Sequence, residues 1–421
     1  MSKIALHWKI LIGMGLGVIF GYIFTLIPDG GKFISDYIKP FGTIFINLLK
    51  LIAVPLILAS LIKGISDLKD ISKLSQMGGR TIIIYLITTL TAVSIGLVLV
   101  NVIQPGKSIS VETRNELVEA YSTETQAKQE AAAIQRESGP LQALIDVVPS
   151  NIFLAASNNR NMLQVIFFAL FFGIGMILLP QKQVKSVKKL FDSFNTIILK
   201  LIDLIMKSAP YGVFALLAAL VVEAPSLELF QALALYAITL LLGLAAMILV
   251  YIIIVRVVTK RKVSFFMQGI APAQLLAFST SSSAATLPVT MECVEDNLGV
   301  DKEVASFVLP IGATINMDGT SVYQGVAAVF IAQAFGLDLN LSAQLGIVLT
   351  ATLASIGTAA VPSAGIVMLV IVLAQAGIPE AGLALIFAID RPLDMCRTIV
   401  NVTGDASVSM LVGKSIRKLK D

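Results

Sequence analysis

The chain has 421 residues, of which 56% are hydrophobic and 14% charged, and its formal net charge is +4. Its mean hydropathy is +0.87, and apolar runs of about 20 residues, enough to cross ~30 Å of hydrocarbon, predict a polytopic all-α membrane protein. Two cysteines and one histidine exclude a disulfide framework and argue against a zinc or haem site. The basic residues cluster at the ends of spans, so the positive charge predicts no nucleic-acid partner.

Six apolar spans are predicted in the first part of the chain, at about 8–27, 38–66, 79–104, 149–180, 190–221 and 226–257. Lysine and arginine clusters follow the fourth and sixth spans and close the chain. By the positive-inside rule, these clusters and both termini are predicted to be cytoplasmic. The polar loop 106–140 lies an odd number of spans away, which predicts an external, flexible or weakly helical flap.

After residue 262 the apolar segments become short and interrupted. One runs from Val263 to Phe278 and ends in a serine and threonine cluster; another runs from about 344 to Ser355 and resumes after Pro362. Each predicts a re-entrant helical hairpin whose polar tip lies at membrane depth and lines a site. Paired interrupted segments of this kind also indicate an inverted repeat with a site at the midplane.

The stretch from Gly312 to Thr320 interrupts an apolar span with an amide, a carboxylate and two glycines. Unwinding there would free backbone carbonyls, and a hard cation such as Na⁺ favours carbonyl, amide, hydroxyl and carboxylate oxygens. The alternative is a glycine kink at a helix contact, with Asp318 paired to a basic residue on another helix.

The last apolar segment carries Asp390, Asp394, Arg397, Asn401 and Asp405, separated by steps of four, three, four and four. That spacing predicts one helix face. Each charge at the bilayer centre costs roughly 2.5–3.5 kcal/mol, so the face predicts a site rather than a neutral surface. Arg397 could bind a carboxylate in bidentate fashion and Asp394 an ammonium, which fits a zwitterion with one additional carboxylate. The alternative is an Asp394–Arg397 pair within the helix and no ligand.

The serine tip 281–283 could bind a second carboxylate through its hydroxyls and the N-terminal amides of the following helix. Alternatively, the hydroxyls could serve only to hydrogen-bond the backbone at the tip of the hairpin. A nucleophilic enzyme is disfavoured because the single histidine is His7 and no lysine lies near these serines. No G-x-x-x-x-G-K pattern supports ATP-driven transport. The sequence therefore predicts a secondary transporter and not an enzyme.

The segments NMDGT (316–320) and DMCRTIVNVTGD (394–405) resemble motifs of the glutamate transporter family, the sodium- or proton-coupled dicarboxylate and acidic amino-acid symporters. The resemblance covers nearly the whole chain after residue 8. It implies a homotrimer in the inner membrane of a prokaryotic cell, each subunit having eight transmembrane helices and two re-entrant hairpins. It also implies a scaffold domain (1–78 and 149–221), a transport domain (79–104 and 222–421) and an extracellular loop (105–148).

The resemblance implies functional residues by position. The substrate residues would be Ser281, Ser282, Ser283, Thr320, Val361, Pro362, Gly365, Asp394, Arg397, Thr398 and Asn401. One sodium site would use Gly312, Asn316, Asn401 and Asp405; a second Thr314, Met317, Ser355, Ile356 and Thr358; a third Tyr85, Thr88, Thr89, Asn316 and Asp318. Gln324 stands where proton-coupled eukaryotic members carry a glutamate, which favours sodium coupling.

These observations predict a sodium-coupled symporter that imports L-aspartate and/or L-glutamate by an elevator motion, with several Na⁺ ions and no organic cofactor. The alternatives are a proton-coupled symporter of the same fold and a channel-like or scaffold membrane protein. One departure from the family is notable: Ser281 and Met395 occupy the two positions where members commonly carry an additional arginine. Arg391 is hypothesised to reach toward the first hairpin instead, so its replacement by alanine should alter transport.

Overall fold

A computed structural model of the chain describes residues 6–67, 75–120, 148–157, 161–223, 227–357 and 364–420. These residues are mostly helical and include no β-strand, apart from an isolated antiparallel bridge between Val300 and Leu419. The prediction of an all-α protein is therefore confirmed. The α-helices of five residues or more are α1 (Leu6–Thr25), α2 (Lys39–Asp67), α3 (Ser75–Ile103), α4 (Val111–Ala120), α5 (Ile152–Ala156), α6 (Met162–Leu178), α7 (Gln181–Glu223), α8 (Leu227–Thr259), α9 (Val263–Thr280), α10 (Ser283–Glu292), α11 (Lys302–Ile315), α12 (Asp318–Ala334), α13 (Leu341–Gly357), α14 (Ala364–Gln375) and α15 (Leu383–Ser415).

The predicted bounds differ most at the fourth and fifth spans: the span predicted at 149–180 contains two helices, α5 and α6, and α7 begins at Gln181 rather than near residue 190. The lysine-rich start of this helix is polar, but its apolar residues recur at helical spacing and Val184 is buried. The axis bends by 46° between the segments Gln181–Ile205 and Lys207–Val222. Pro210, which has no backbone N–H and clashes with the preceding turn, lies in the second segment.

Within the described residues, three helical segments are long and apolar enough to cross a membrane: Gly30–Lys63, Met77–Ser108 and Glu228–Thr259. The bent pair in α7 adds a fourth if it is counted as one span. Helix α15 has 33 residues, but the acids and arginines on its buried face make it more polar than these. Helices α11 and α12, with 14 and 17 residues, are short because the chain breaks between them. The count of eight spans stays a prediction.

The helices pack in two groups. Helix α7 packs along α1 and α2, and α2 also packs against α6. In the other group, α15 is central and contacts α8, α9, α11 and α12, while α3 lies against α12 and α8. Helix α15 is therefore surrounded by other helices, which explains how a segment with five charged residues between 390 and 405 can be accommodated: protein, rather than lipid, faces most of it.

Candidate functional site

The first interrupted segment folds as two helices joined by the serine tip. Helix α9 ends where Ser281 adopts a left-handed conformation (φ 52°) and donates its N–H to Ala277 O at 2.8 Å. Ser282 then caps α10, its Oγ accepting a hydrogen bond from Ala285 N at 3.2 Å. The hydroxyls of Ser281 and Ser283 are buried and have no hydrogen-bond partner in the described part of the chain. Two buried, unpaired hydroxyls at a tip that packs near α15 are unusual and indicate a ligand-binding surface.

The second hairpin is described on both sides of its tip, α13 and α14. Of the predicted substrate residues, Val361 and Pro362 lie outside the described residues, as does the predicted sodium ligand Thr358. Gly365, at the start of α14, lies close to the predicted substrate residues: a Cβ atom there would be 3.1 Å from Thr320 Cγ2 and 3.6 Å from Arg397 Nη1. The absence of a side chain at Gly365 therefore keeps space beside the guanidinium.

Arg397 lies at the centre of a cation–anion cluster on α15. Its side chain is fully buried, and its Nη2 donates to Asp390 Oδ1 and to Asp394 Oδ1, both at 2.9 Å. The guanidinium carbon lies 3.8 Å from the centre of the Tyr323 ring, a cation–π contact. Arg397 Nε and Nη1 have no hydrogen-bond partner among the described residues. Nη2 is thus held by protein carboxylates, whereas the N–H groups of Nε and Nη1 remain available.

This cluster answers two questions that the sequence left open. The predicted alternative of an intrahelical Asp394–Arg397 pair does form, but it satisfies only one nitrogen of Arg397. Asp390, whose spacing placed it on the same face, orients Arg397 through the second ion pair. Arg391 pairs within its own helix, and its hypothesised approach to the first hairpin stays a prediction. Its Nη1 pairs with Asp394 Oδ2 at 3.2 Å, because a buried carboxylate three residues away is a close counter-charge.

The residues at the break between α11 and α12 contact α15. Helix α11 ends at Ile315, and Asn316 and Met317 have non-helical backbone angles. Asn401 accepts a hydrogen bond from Gly319 N at 2.7 Å and donates to Met317 Sδ at 3.3 Å. A Cβ atom at Gly319 would overlap the backbone carbonyl of Arg397, so glycine is needed for this close approach.

A buried oxygen-rich cluster lies beside the break. Asn316 Nδ2 donates to Asp405 Oδ1 at 3.0 Å, and a Cβ atom at Gly312 would overlap both the Asp405 carboxylate and the Tyr85 hydroxyl. Tyr85 donates to Val308 O at 3.1 Å. The structure therefore brings together Gly312, Asn316 and Asp405, three of the residues predicted for one sodium site. Tyr85, which was predicted for a different sodium site, lies beside them.

Asp318 forms a second cluster on the same side. Thr89 Oγ1 donates to Asp318 Oδ1 at 2.7 Å, Thr88 Oγ1 lies 3.4 Å from Asn316 Oδ1, and the Tyr251 hydroxyl donates to Asp318 Oδ2. The alternative that pairs Asp318 with a basic residue is wrong for the described chain, since its partners are hydroxyls. Neither Asp318 nor Asp405 forms an ion pair with any described residue.

The remaining predicted sodium residues are only partly assembled. Met317 N donates to Ser355 Oγ at 3.3 Å, which brings the helix break against the end of α13. Ile356 is the next residue of α13. Thr314 is exposed, and its hydroxyl bonds to Ile311 O of its own helix at 2.9 Å. Thr398, one of the predicted substrate residues, likewise donates to a backbone carbonyl, Asp394 O, at 2.9 Å. In the described residues no group of three or more histidine, cysteine or acidic side chains could hold a metal ion.

Tyr251 and Tyr323 are residues that the sequence analysis missed. Each lies in an apolar helix and contributes a buried aromatic ring, so composition alone does not distinguish them from core residues. For Tyr251 one signal was available: a tyrosine hydroxyl inside a long apolar span requires a polar partner. A Cβ atom at Gly404 would overlap this hydroxyl, so the glycine leaves room for it.

If the site binds sodium and substrate, as the sequence predicts, Tyr251→Phe is expected to weaken sodium-dependent substrate binding, because it removes a hydrogen bond to a buried carboxylate. Such bonds contribute roughly 1.5–3 kcal/mol, which corresponds to a change in affinity of at least about tenfold. Isothermal titration of the purified protein in sodium buffer measures the effect. Tyr211→Phe is the matched control, since Tyr211 is 75% exposed; equal affinities for the two variants would contradict the expectation.

Comparison with known proteins identifies the family. A model of the sodium:dicarboxylate symporter family matches residues 6–415. The chain belongs to that family. The resemblance of its NMDGT and DMCRTIVNVTGD segments to glutamate transporter motifs is thereby confirmed.

Relatives of this chain include bacterial and animal proteins. The chain is 34% identical over 417 residues to a proton/sodium-glutamate symport protein of Geobacillus stearothermophilus, covering 98% of this chain and 95% of the relative. It is 34% identical over 418 residues to a proton/glutamate-aspartate symporter of Escherichia coli (strain K12), covering 98% and 93%. It is 35% identical over 453 residues to excitatory amino acid transporter 3 of Mus musculus, covering 98% and 86%. Family and relatives are transporters, which agrees with the transport function predicted from the residues.

Proposed function

We propose that this protein is a sodium-coupled symporter that imports L-aspartate and/or L-glutamate. The observation that supports it most is the state of Arg397: the side chain is fully buried, yet its Nε and Nη1 have no hydrogen-bond partner among the described residues. An unpaired buried donor costs about 1–3 kcal/mol, and more when it is charged. A ligand carboxylate would satisfy these free donors through charge-assisted hydrogen bonds.

The other functional groups of an acidic amino acid have plausible partners nearby. Asp394 supplies a carboxylate for the ammonium group, and Asn401 lies about two turns further along α15. The unpaired hydroxyls of Ser281 and Ser283 supply donors for the second carboxylate. A neutral substrate fits less well, because it would leave the free N–H groups of Arg397 unpaired.

Sodium coupling is supported by Asp318 and Asp405. Both carboxylates are buried, and neither has a cationic partner in the described chain. Na⁺ would neutralise this charge, and the surrounding amide, hydroxyl and carbonyl oxygens suit a hard cation. Because Asn316 and Met317 lie between these acids and Asn401, ions and substrate would bind cooperatively.

The energetics of such a symport are favourable. Each net positive charge that enters down 100 mV releases roughly 2.3 kcal/mol, whereas a tenfold uphill substrate gradient costs about 1.4 kcal/mol. Two net charges would thus sustain steep accumulation. In the proposed mechanism the group around α15 moves as a transport domain against a trimeric scaffold built from α1, α2, α6 and α7, in the inner membrane, with both termini in the cytoplasm.

Proton coupling is the second candidate. It is favoured by the relatives named as proton/sodium-glutamate and proton/glutamate-aspartate symporters, and by the fact that a buried carboxylate can be neutralised by a proton as well as by Na⁺. Against it, the buried side chain of Gln324 is an amide and has no titratable proton.

Uptake into liposomes separates these candidates. We expect purified protein to accumulate radiolabelled L-aspartate when an inward sodium gradient is imposed, and not when an inward pH gradient is imposed in choline buffer. Protein-free liposomes give the background. Uptake driven by the pH gradient alone would favour the proton-coupled candidate, and the absence of saturable uptake under both gradients would exclude both.

A further inference from the structure

The carboxylate proposed for the substrate ammonium is already held by two arginines. Arg391 Nη1 lies 3.2 Å from Asp394 Oδ2, and Arg397 Nη2 lies 2.9 Å from Asp394 Oδ1. Each oxygen of Asp394 thus faces a different guanidinium. Only one of these cations, Arg397, has an evident role in binding a substrate carboxylate.

The two arginines differ in how firmly they are held. Arg397 is fully buried, pairs with Asp390 as well as Asp394, and stacks on Tyr323. Arg391 has a side-chain exposure of 14%, and Asp394 is its only ion-pair partner among the described residues. The Arg391–Asp394 pair can therefore open without disturbing a second interaction, whereas the Arg397–Asp394 pair cannot.

A substrate ammonium would have to share Asp394 with Arg391. An ionised carboxylate offers about four lone-pair positions, so sharing is geometrically possible. Two neighbouring guanidinium groups nevertheless reduce the net attraction of Asp394 for a further cation. A dicarboxylate without an amino group would not meet this competition, because it makes no demand on Asp394.

We propose that Arg391 is a positioning residue that acts through Asp394 to set the preference between amino dicarboxylates and dicarboxylates without an amine. The inference rests on the proposed function of the same site. The charge of Arg391 lowers the affinity for the ammonium-bearing substrate relative to its amine-free analogue. The protein would consequently tolerate amine-free dicarboxylates better than a site in which Asp394 had Arg397 as its only cationic partner.

The test measures the affinities of the purified full-length protein for L-aspartate and succinate in sodium buffer, for the wild type, Arg391→Gln and Arg391→Lys. We expect Arg391→Gln to raise the aspartate-to-succinate affinity ratio by about fivefold. Arg391→Lys retains the cation and should keep the ratio within about twofold of the wild type. A structural role alone would change both ligands equally and leave the ratio unchanged.

An unchanged or lowered ratio in Arg391→Gln, with aspartate binding by the wild type intact, would overturn this inference and leave the proposed function standing. Failure of the wild type to bind either ligand would overturn both. If Arg391→Gln does not fold, Arg391→Met removes the same charge, and the ligand-induced shifts in its thermal unfolding temperature give the same comparison. Equal changes of the ratio in the neutral variant and in Arg391→Lys would also contradict a role for the charge.

Discussion

Replacing Arg397 with cysteine is expected to abolish the uptake of acidic amino acids. The change removes the proposed carboxylate-binding guanidinium and leaves Asp390 and Asp394 buried without the cation that both contact. Breaking a buried ion pair by removing one partner costs roughly 3–5 kcal/mol, which corresponds to a loss of at least about 100-fold in affinity. Sodium-driven uptake of L-aspartate into liposomes should fall to the level of protein-free vesicles.

Two further variants make this result interpretable. Arg417→Cys is the matched control, because Arg417 is an exposed arginine near the C-terminus, and it should transport like the wild type. Arg397→Lys keeps a positive charge but loses the planar fork, so it should bind substrate weakly rather than normally. Near-normal aspartate uptake by Arg397→Cys would exclude Arg397 as the substrate-binding cation.

Replacing Asp405 with asparagine is expected to remove most of the sodium dependence of substrate binding. In the wild type, coupling between two sites of about 1–3 kcal/mol would change aspartate affinity by about 5–150-fold between sodium and choline buffers. Asparagine is nearly the same size and keeps one oxygen, but it lacks the negative charge that attracts Na⁺. The sodium concentration for half-maximal binding should rise by at least about tenfold, measured by isothermal titration at several sodium concentrations.

Asp203→Asn is the matched control for this experiment. Asp203 is half-exposed and pairs with Lys200 and Lys207 on the surface of α7, so its neutralisation should leave sodium dependence unchanged. A response to sodium that is the same in the wild type and in Asp405→Asn would contradict the assignment of Asp405 to an ion site.

The spacing of polar residues was sufficient to predict the central helix. Asp390, Asp394, Arg397, Asn401 and Asp405 recur at intervals of three and four, and in the structure all five are buried on α15. The break at Asn316 and Met317 was likewise predictable, because polar residues flanked by glycines interrupt an apolar pattern. Both are local properties: helical periodicity and backbone preference depend on residues a few positions apart.

The N-terminal extension of α7 and the ion pair between Arg391 and Asp394 were not predicted. The span predicted from about residue 190 leaves out the lysines at the start of α7, although an amphipathic helix can carry them on its solvated side. For Arg391 the helical face was considered, but the nearest carboxylate on that helix was not weighed against a more distant partner. In both cases the observed structure involves only residues close together in the chain. Whether the helix extends or the ion pair forms depends on burial, which a single sequence does not report.

By itself, the sequence determined that this is an all-α membrane protein with a polar helix and two interrupted segments, since hydropathy and helical spacing depend on neighbouring residues. Only the tertiary structure decided which groups meet. Thr89 and Asp318 are 229 positions apart, and Asn316 and Asp405 are 89 apart. Tyr251 joins Asp318 across 67 positions. Contacts over such separations depend on how whole helices pack around α15, so the pattern of residues along one helix cannot specify them.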